Sequence, residues 1–276
     1  MKSSPYRGLL SFIGWAIVIF IIILEASQLG TIWAVLASVA IILGFLFVKR
    51  AAVMCIVAQG KFNSGETQAA FKWFGKAYAT GTLNPVKALF YAYLLLRDGQ
   101  LEKSEKIIDE ISKKHKNTLS KNDELNIALN KTLIKWKKGD LKGAIEDAEK
   151  LYASGIKNTA LYGVLGYWYI LDGRVDKALE INEEAYEYNS SDQIITDNLA
   201  QNYFLVGNTE KAEEMYKDLL EKNPDFIEPY YNYGIILKSK GDSEGARLHF
   251  EKALEQKEKF LSTVTHAQIK KEIENL

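Results

Sequence analysis

One cysteine, Cys55, stands in a chain of 276 residues. A lone thiol excludes an intramolecular disulfide and every cysteine-rich zinc module. With Met54, Ile56 and Val57 beside it, Cys55 reads as a packed small hydrophobe. Net charge is missing as well, since 35 basic and 35 acidic side chains cancel. The cancellation is uneven. Residues 1–50 hold Lys2, Arg7, Lys49 and Arg50 against Glu25 alone, a surplus of +3 that leaves −3 for the rest. A faintly acidic remainder lacks the basic stripe that nucleic acid needs, so no nucleic-acid partner is expected. The short basic run Lys113, Lys114, His115 and Lys116 reads as a solvated loop edge.

Catalytic signatures are absent too. The chain has no Gly-x-x-x-x-Gly-Lys and no His-Glu-x-x-His. His115, His249 and His266 have no cysteine, second histidine or carboxylate at a ligand spacing and read as surface residues. The pairs Glu183-Glu184 and Glu213-Glu214 read as solvated helix faces, because consecutive helical residues point different ways. No metal, no cofactor and no enzymatic activity are expected.

Two long apolar runs open the chain. Leu9 to Leu24 and Leu29 to Val48 contain no charge and would reach about 24 Å and about 30 Å as helices, against a hydrocarbon core of about 30 Å. Only Glu25, Ala26, Ser27 and Gln28 separate them, so residues 9–48 are expected to form an antiparallel membrane hairpin after a short segment, 1–8. The basic flanks place both termini in the cytoplasm of a cell-membrane protein with two spans. A cleaved signal peptide is the competing reading; the length of the first run, the lack of an Ala-x-Ala site and the second run count against it. Gly30, Ala34 and Ser38 recur at i, i+4, i+8 and would let the spans pack closely or self-associate. Neither span has an interior ionisable residue, which argues for an anchor over an ion path.

The remainder is periodic. Gly65, Gly99, Gly139, Gly173, Gly207 and Gly241 recur at intervals of 34 residues, with one interval of 40 spanning an insertion near 112–124. A small residue follows each five positions later: Ala70, Ser104, Ala144, Ala178, Ala212 and Ala246. A second small column runs through Ala58, Ala92, Thr132, Gly166, Ala200 and Gly234. Two helices crossing at small residues and turned by a glycine explain both columns. Asp140, Asn208 and Asp242, directly after their glycines, suit the starts of second helices.

This 34-residue pattern resembles the tetratricopeptide repeat, matched best from Thr159 to Phe260. The resemblance implies an all-α chain with about six helix-turn-helix units near 51–84, 85–124, 125–158, 159–192, 193–226 and 227–260. A capping helix over 261–276 would close the solenoid, as such arrays require. With no glycine or proline between Val48 and Ala58, the second membrane helix is expected to run on into the first repeat helix.

The family's first helices line a concave groove that holds partner segments. Its inward positions fall here on Leu89, Tyr93, Leu129, Leu133, Trp136, Tyr167, Ile170, Asp197, Gln201, Phe204, Tyr231, Ile235 and Lys238. The lysine–asparagine carboxylate clamp of chaperone-binding members is absent: Leu89 and Tyr93, or Leu129 and Leu133, stand at its places. Bacterial membrane-anchored members that guide lipopolysaccharide assembly share the layout of anchor then repeats, but the lone cysteine cannot build their zinc module. The resemblance therefore implies a bacterial-type, membrane-tethered scaffold whose groove takes a peptide or helix of a protein partner. The alternative is a permanent subunit of a membrane complex.

Overall fold

The computed structural model describes Val18 and residues 31–276. The first apolar run, apart from Val18, and the turn after it lie outside these residues, as do Gly30 and the side chain of Ala34. The described residues form fourteen α-helices and no strand. Helix α1 (Thr31–Val48) precedes six helix pairs: α2 (Arg50–Asn63) with α3 (Thr67–Ala79), α4 (Pro85–Arg97) with α5 (Leu101–His115), and α6 (Lys121–Lys137) with α7 (Leu141–Ala153). The series continues with α8 (Thr159–Leu171) and α9 (Val175–Asn189), α10 (Gln193–Leu205) and α11 (Thr209–Glu221), and α12 (Glu228–Ser239) and α13 (Ser243–Glu255), and ends in α14 (His266–Glu274). These helices cluster into two compact units. One reaches Ala92 and includes Ile107–Ser120; the other comprises Tyr93–Lys106 and Lys121–Leu276.

The expected continuation of α1 into the first repeat does not occur. The axis bends by 69° at Lys49, which adopts φ −92° and ψ 10°. Arg50 stabilises the break by donating a 2.9 Å hydrogen bond to the Phe47 carbonyl and laying its guanidinium 4.3 Å from the Phe47 ring centroid. A cation on the last free carbonyls favours ending a helix there. No single described helix is long and apolar enough to cross a membrane, whereas Val35–Val48 and Arg50–Asn63 reach that length and composition as a bent pair. Cys55 is buried, as its apolar neighbours imply.

All six periodic glycines have positive φ, between 75° and 94°. In each pair the residue after the glycine donates a backbone hydrogen bond to the carbonyl five positions back, as Asp140 does to Lys135 at 3.1 Å and Asn208 to Tyr203 at 2.8 Å. That is the bond of a Schellman turn, which a residue with a Cβ adopts only under strain. Asp140 and Asp242 then cap the second helices, each accepting a backbone N–H at 2.9 Å.

The small columns lie at helix crossings. Ala70, Ser104, Ala144, Ala178, Ala212 and Ala246 are fully buried, as are Ala58, Ala92 and Ala200. In the second unit two continuous cores result, one around Leu165, Trp168 and Tyr169, the other around Tyr216, Ile236 and Phe250. The third pair departs from the pattern at Lys131, which is exposed where its counterparts Leu165, Leu199 and Tyr233 are buried.

The closing helix is shorter than the span 261–276. It starts at His266, because Thr265 and Gln268 form a reciprocal capping box. Residues 256–265 stay irregular, and Ile269 anchors α14 in the core.

Candidate functional site

The first helices of the second unit, α6, α8, α10 and α12, carry most of the residues that the groove positions select. Leu129 and Asp197 are buried; Tyr93, Leu133, Trp136, Tyr167, Ile170, Gln201, Phe204, Tyr231, Ile235 and Lys238 are half-buried. Leu89 lies in the first unit, also buried. Trp136 and Tyr167 meet edge to face at 6.4 Å between centroids, an arrangement that aromatic quadrupoles favour.

Four of these residues converge. Gln201, Phe204, Tyr231 and Ile235 line an open cleft of about 170 Å³ between α10 and α12, with Tyr216 and Asn232 at its floor. The Gln201 Oε1 atom is buried there without a hydrogen-bond partner. A buried acceptor left unpaired costs free energy that a ligand donor would recover. Lys238 is turned to another task, an ion pair with Glu272 of α14 at 2.8 Å.

An acidic cluster lies beneath the same face. Burial, and then the nearby Glu228 charge, push the Asp197 carboxyl up to about 7, against hydrogen bonds from Asn232 and Tyr216 that favour ionisation. The Asn232 amide donates to Asp197 Oδ1 at 3.2 Å, and the Tyr216 hydroxyl donates to the Asp197 carbonyl at 3.2 Å. Burial also raises the Tyr167 hydroxyl to about 12, with the Thr263 hydroxyl favouring its ionised form and Glu228 and Asp197 opposing it.

The periodic columns do not locate the next contacts. Glu228, itself buried, accepts a hydrogen bond from the Thr263 N–H at 2.6 Å and another from the Thr263 hydroxyl at 3.0 Å. Lys137 donates to the Ser262 carbonyl at 3.4 Å, its ammonium 4.3 Å from the Trp136 centroid and 5.2 Å from that of Phe260. Burial holds the Lys137 pKa below its ordinary range. The ring of Phe260 lies so close to Gly99 that a Cβ there would stand 2.9 Å from its Cδ2 atom. Residues 256–265 thus run along the first-helix face of this unit. A run of Ser262, Thr263, Val264 and Thr265, poor in helix formers, was the available signal for an irregular stretch.

Of the acidic pairs read as solvated faces, Glu183 and Glu214 are exposed as expected, but Glu183, Glu184 and Glu213 also bond neighbouring helices within the second unit. Glu184 accepts hydrogen bonds from Tyr152, Tyr162 and Lys157. Glu183 accepts from the Tyr203 hydroxyl at 2.8 Å, and Glu213 pairs with Lys217 at 2.7 Å and with Lys240. His249, expected at the surface, is half-buried with its ring edge-on to Tyr233 at 4.8 Å, and burial lowers its pKa.

Comparison with known proteins agrees with this architecture. A family model described as tetratricopeptide repeat matches residues 215–247, across α11 to α13. A tetratricopeptide repeat protein from Parabacteroides merdae superposes with a TM-score of 0.63 at 17% identity, covering 82% of this chain and 84% of that one. The thermophilic protein TTC0263 of Thermus thermophilus gives a TM-score of 0.54 at 19% identity, over 70% of this chain and 98% of its own. Among curated sequences, the TPR repeat-containing protein MJ1428 of Methanocaldococcus jannaschii is 27% identical over 163 residues, 59% of this chain and 28% of that protein. The human Protein O-mannosyl-transferase TMTC1 is 26% identical over 206 residues, 69% of this chain and 21% of that protein. The chain therefore spans only 21% to 28% of the length of these curated relatives. Six glycine-turned helix pairs, the family model over residues 215–247 and the shared fold make this chain similar to tetratricopeptide-repeat proteins.

Proposed function

We propose that this protein is a membrane-tethered, non-catalytic scaffold whose first-helix face captures a segment of a protein partner. The observation that carries the reading is the cleft between α10 and α12. Gln201 leaves an unpaired buried acceptor there, beside the apolar surfaces of Phe204, Tyr231 and Ile235. An apolar cleft with one convergent polar group suits a peptide side chain flanked by a backbone N–H.

Tethering is supported by α1. Val35, Leu36, Val39, Ile42, Leu43, Phe45, Phe47 and Val48 are all exposed, and at 3.6 residues per turn they cover every side of the helix. Apolar surface of that extent is otherwise buried in protein or lipid. Lys49 and Arg50 close the helix where a bilayer surface would lie.

A photo-crosslinking residue in place of Ile235, in full-length protein in cells, tests both halves. Adducts with a protein partner from position 235 and none from exposed Glu244, with the chain retained in carbonate-washed membranes, are expected. Carbonate release would remove the tether, and equal adducts from both positions would remove the cleft as the capture site.

A further inference from the structure

We propose that residues 256–265 are a ligand of the first-helix face carried in cis. The partner this face accepts is then an irregular, non-acidic protein segment that makes one tight turn and carries an aromatic residue three positions before a hydroxyl residue. The inference rests on the reading of that face as a peptide site.

The segment behaves as a bound peptide does. It leaves α13 at Gln256 in extended conformation, φ −77° and ψ 144°, and regains helix only at His266. Between these points its contacts reach far back along the chain, to Gly99, Lys137 and Glu228. Its own internal support is one small turn, in which Ser262 and Lys259 exchange hydrogen bonds at 2.9 and 3.1 Å.

Each contact specifies a feature of the ligand. The seat at Gly99 has no side chain, and a flat ring fills it 5.2 Å from the Lys137 ammonium, which also lies 4.3 Å from the Trp136 ring. The buried Glu228 carboxylate takes two donors from one residue, a backbone N–H and a hydroxyl, which serine or threonine supplies together. Asp197 lies beneath this path, and Asp225 receives the Lys259 ammonium through its carbonyl at 3.0 Å. An acidic ligand would meet like charge there.

The segment is also built to leave. Phe260 keeps 37% of its surface exposed, whereas Val264 and, in α14, Ile269 are buried in one core. Val264 and the cap can stay anchored while the stretch from Phe260 to Thr263 lifts. A face occupied in cis for nine parts in ten would bind an outside ligand about tenfold more weakly than an open one.

The test uses a fluorescein-labelled peptide of residues 256–265 and fluorescence anisotropy, with the full chain in detergent as wild type and as Phe260→Ala/Thr263→Val. Binding about tenfold tighter to the double variant is expected, with loss of binding when the peptide carries alanine for its phenylalanine. Equal affinity for both chains would overturn occupancy in cis and leave the peptide-site reading standing. No binding to a double variant that still melts cooperatively would overturn the peptide-site reading as well. If the double variant loses its cooperative melt, Thr263→Val alone supplies the same comparison. Wild-type dimers that the double variant abolishes would place the segment on a second copy and overturn the assignment.

Discussion

The side-chain oxygen of Asn182 occupies the space that a Cβ at Gly166 would need, 1.8 Å from the ideal position. Asn182 is itself committed, because its amide donates to Asn202 Oδ1 at 3.0 Å and Asn202 donates onward to the Val175 carbonyl at 2.9 Å. Neither partner has room to move. Gly166→Ala should therefore cost about 1–3 kcal/mol through overpacking and the disturbed amide chain. Gly163, on the same helix, is the control: its Cβ would stand 3.6 Å from Ile194, an ordinary contact. Gly163→Ala should stabilise by about 0.5–1 kcal/mol through helix propensity. Urea unfolding of both variants checks the pair, and equal costs would show that the crossing is looser than this geometry.

Glu184 gathers three donors from α7, α8 and the turn between them. Hydrogen bonds from Lys157 and Tyr152 hold its carboxyl below the ordinary 4.5. A depressed folded pKa contributes stability that is present above the unfolded value and lost as pH falls through the folded one. Glu184→Gln should cost about 1–3 kcal/mol at neutral pH, and the variant should lose less than wild type on acidification below about 4.5. Parallel acid titrations of both proteins would show no difference if Glu184 were merely solvated.

Much of this arrangement was legible because its causes are local or periodic. A positive φ at Gly139 or Gly207 demands glycine, so the 34-residue spacing survives in the letters. Gly166 and Gly234 must be small because Asn182 and Phe250 occupy their crossings. The bend at Lys49 escaped detection because it arises from Arg50 turning back onto Phe47, which no propensity records. The meetings of Phe260 with Gly99 and of Thr263 with Glu228 join an irregular segment to distant helices. No period carries that information. Glu184 looked solvated since its three donors come from outside its own helix, and spacing within one helix cannot display them.

Asp197 gives stability an opposite pH trend near neutrality. Its folded pKa of about 7 lies above the ordinary 3.8, first through burial and then through the Glu228 charge. The folded state thus holds a proton that the unfolded state has released, and stability declines as pH rises from about 4 through about 7. Asp197→Asn keeps an acceptor for Asn232 and removes the titration. Its unfolding free energy should lose the decline that wild type shows between pH 5 and 8 and exceed wild type at the upper end, while the rise contributed by buried His249 remains in both proteins. A wild-type profile parallel to the variant's would mean that Asp197 is ionised throughout.

Thr265 controls the last helix. Its hydroxyl accepts from the Gln268 N–H at 3.2 Å while the Gln268 side chain accepts from the Thr265 N–H at 2.8 Å, so each residue satisfies an orphan donor of the other. The helix has nine residues, too few to stand without tertiary contacts, and Ile269 is its fully buried anchor. Thr265→Ala should cost about 1 kcal/mol. Because α14 is a short terminal helix held mainly by α13 and by the Lys238–Glu272 ion pair to α12, that loss should appear as local opening rather than as weaker global stability. Amide hydrogen exchange over 266–274 should quicken several-fold while exchange in α8 stays unchanged. Uniform acceleration across both helices would instead make the cap part of one cooperative unit with the rest of the array.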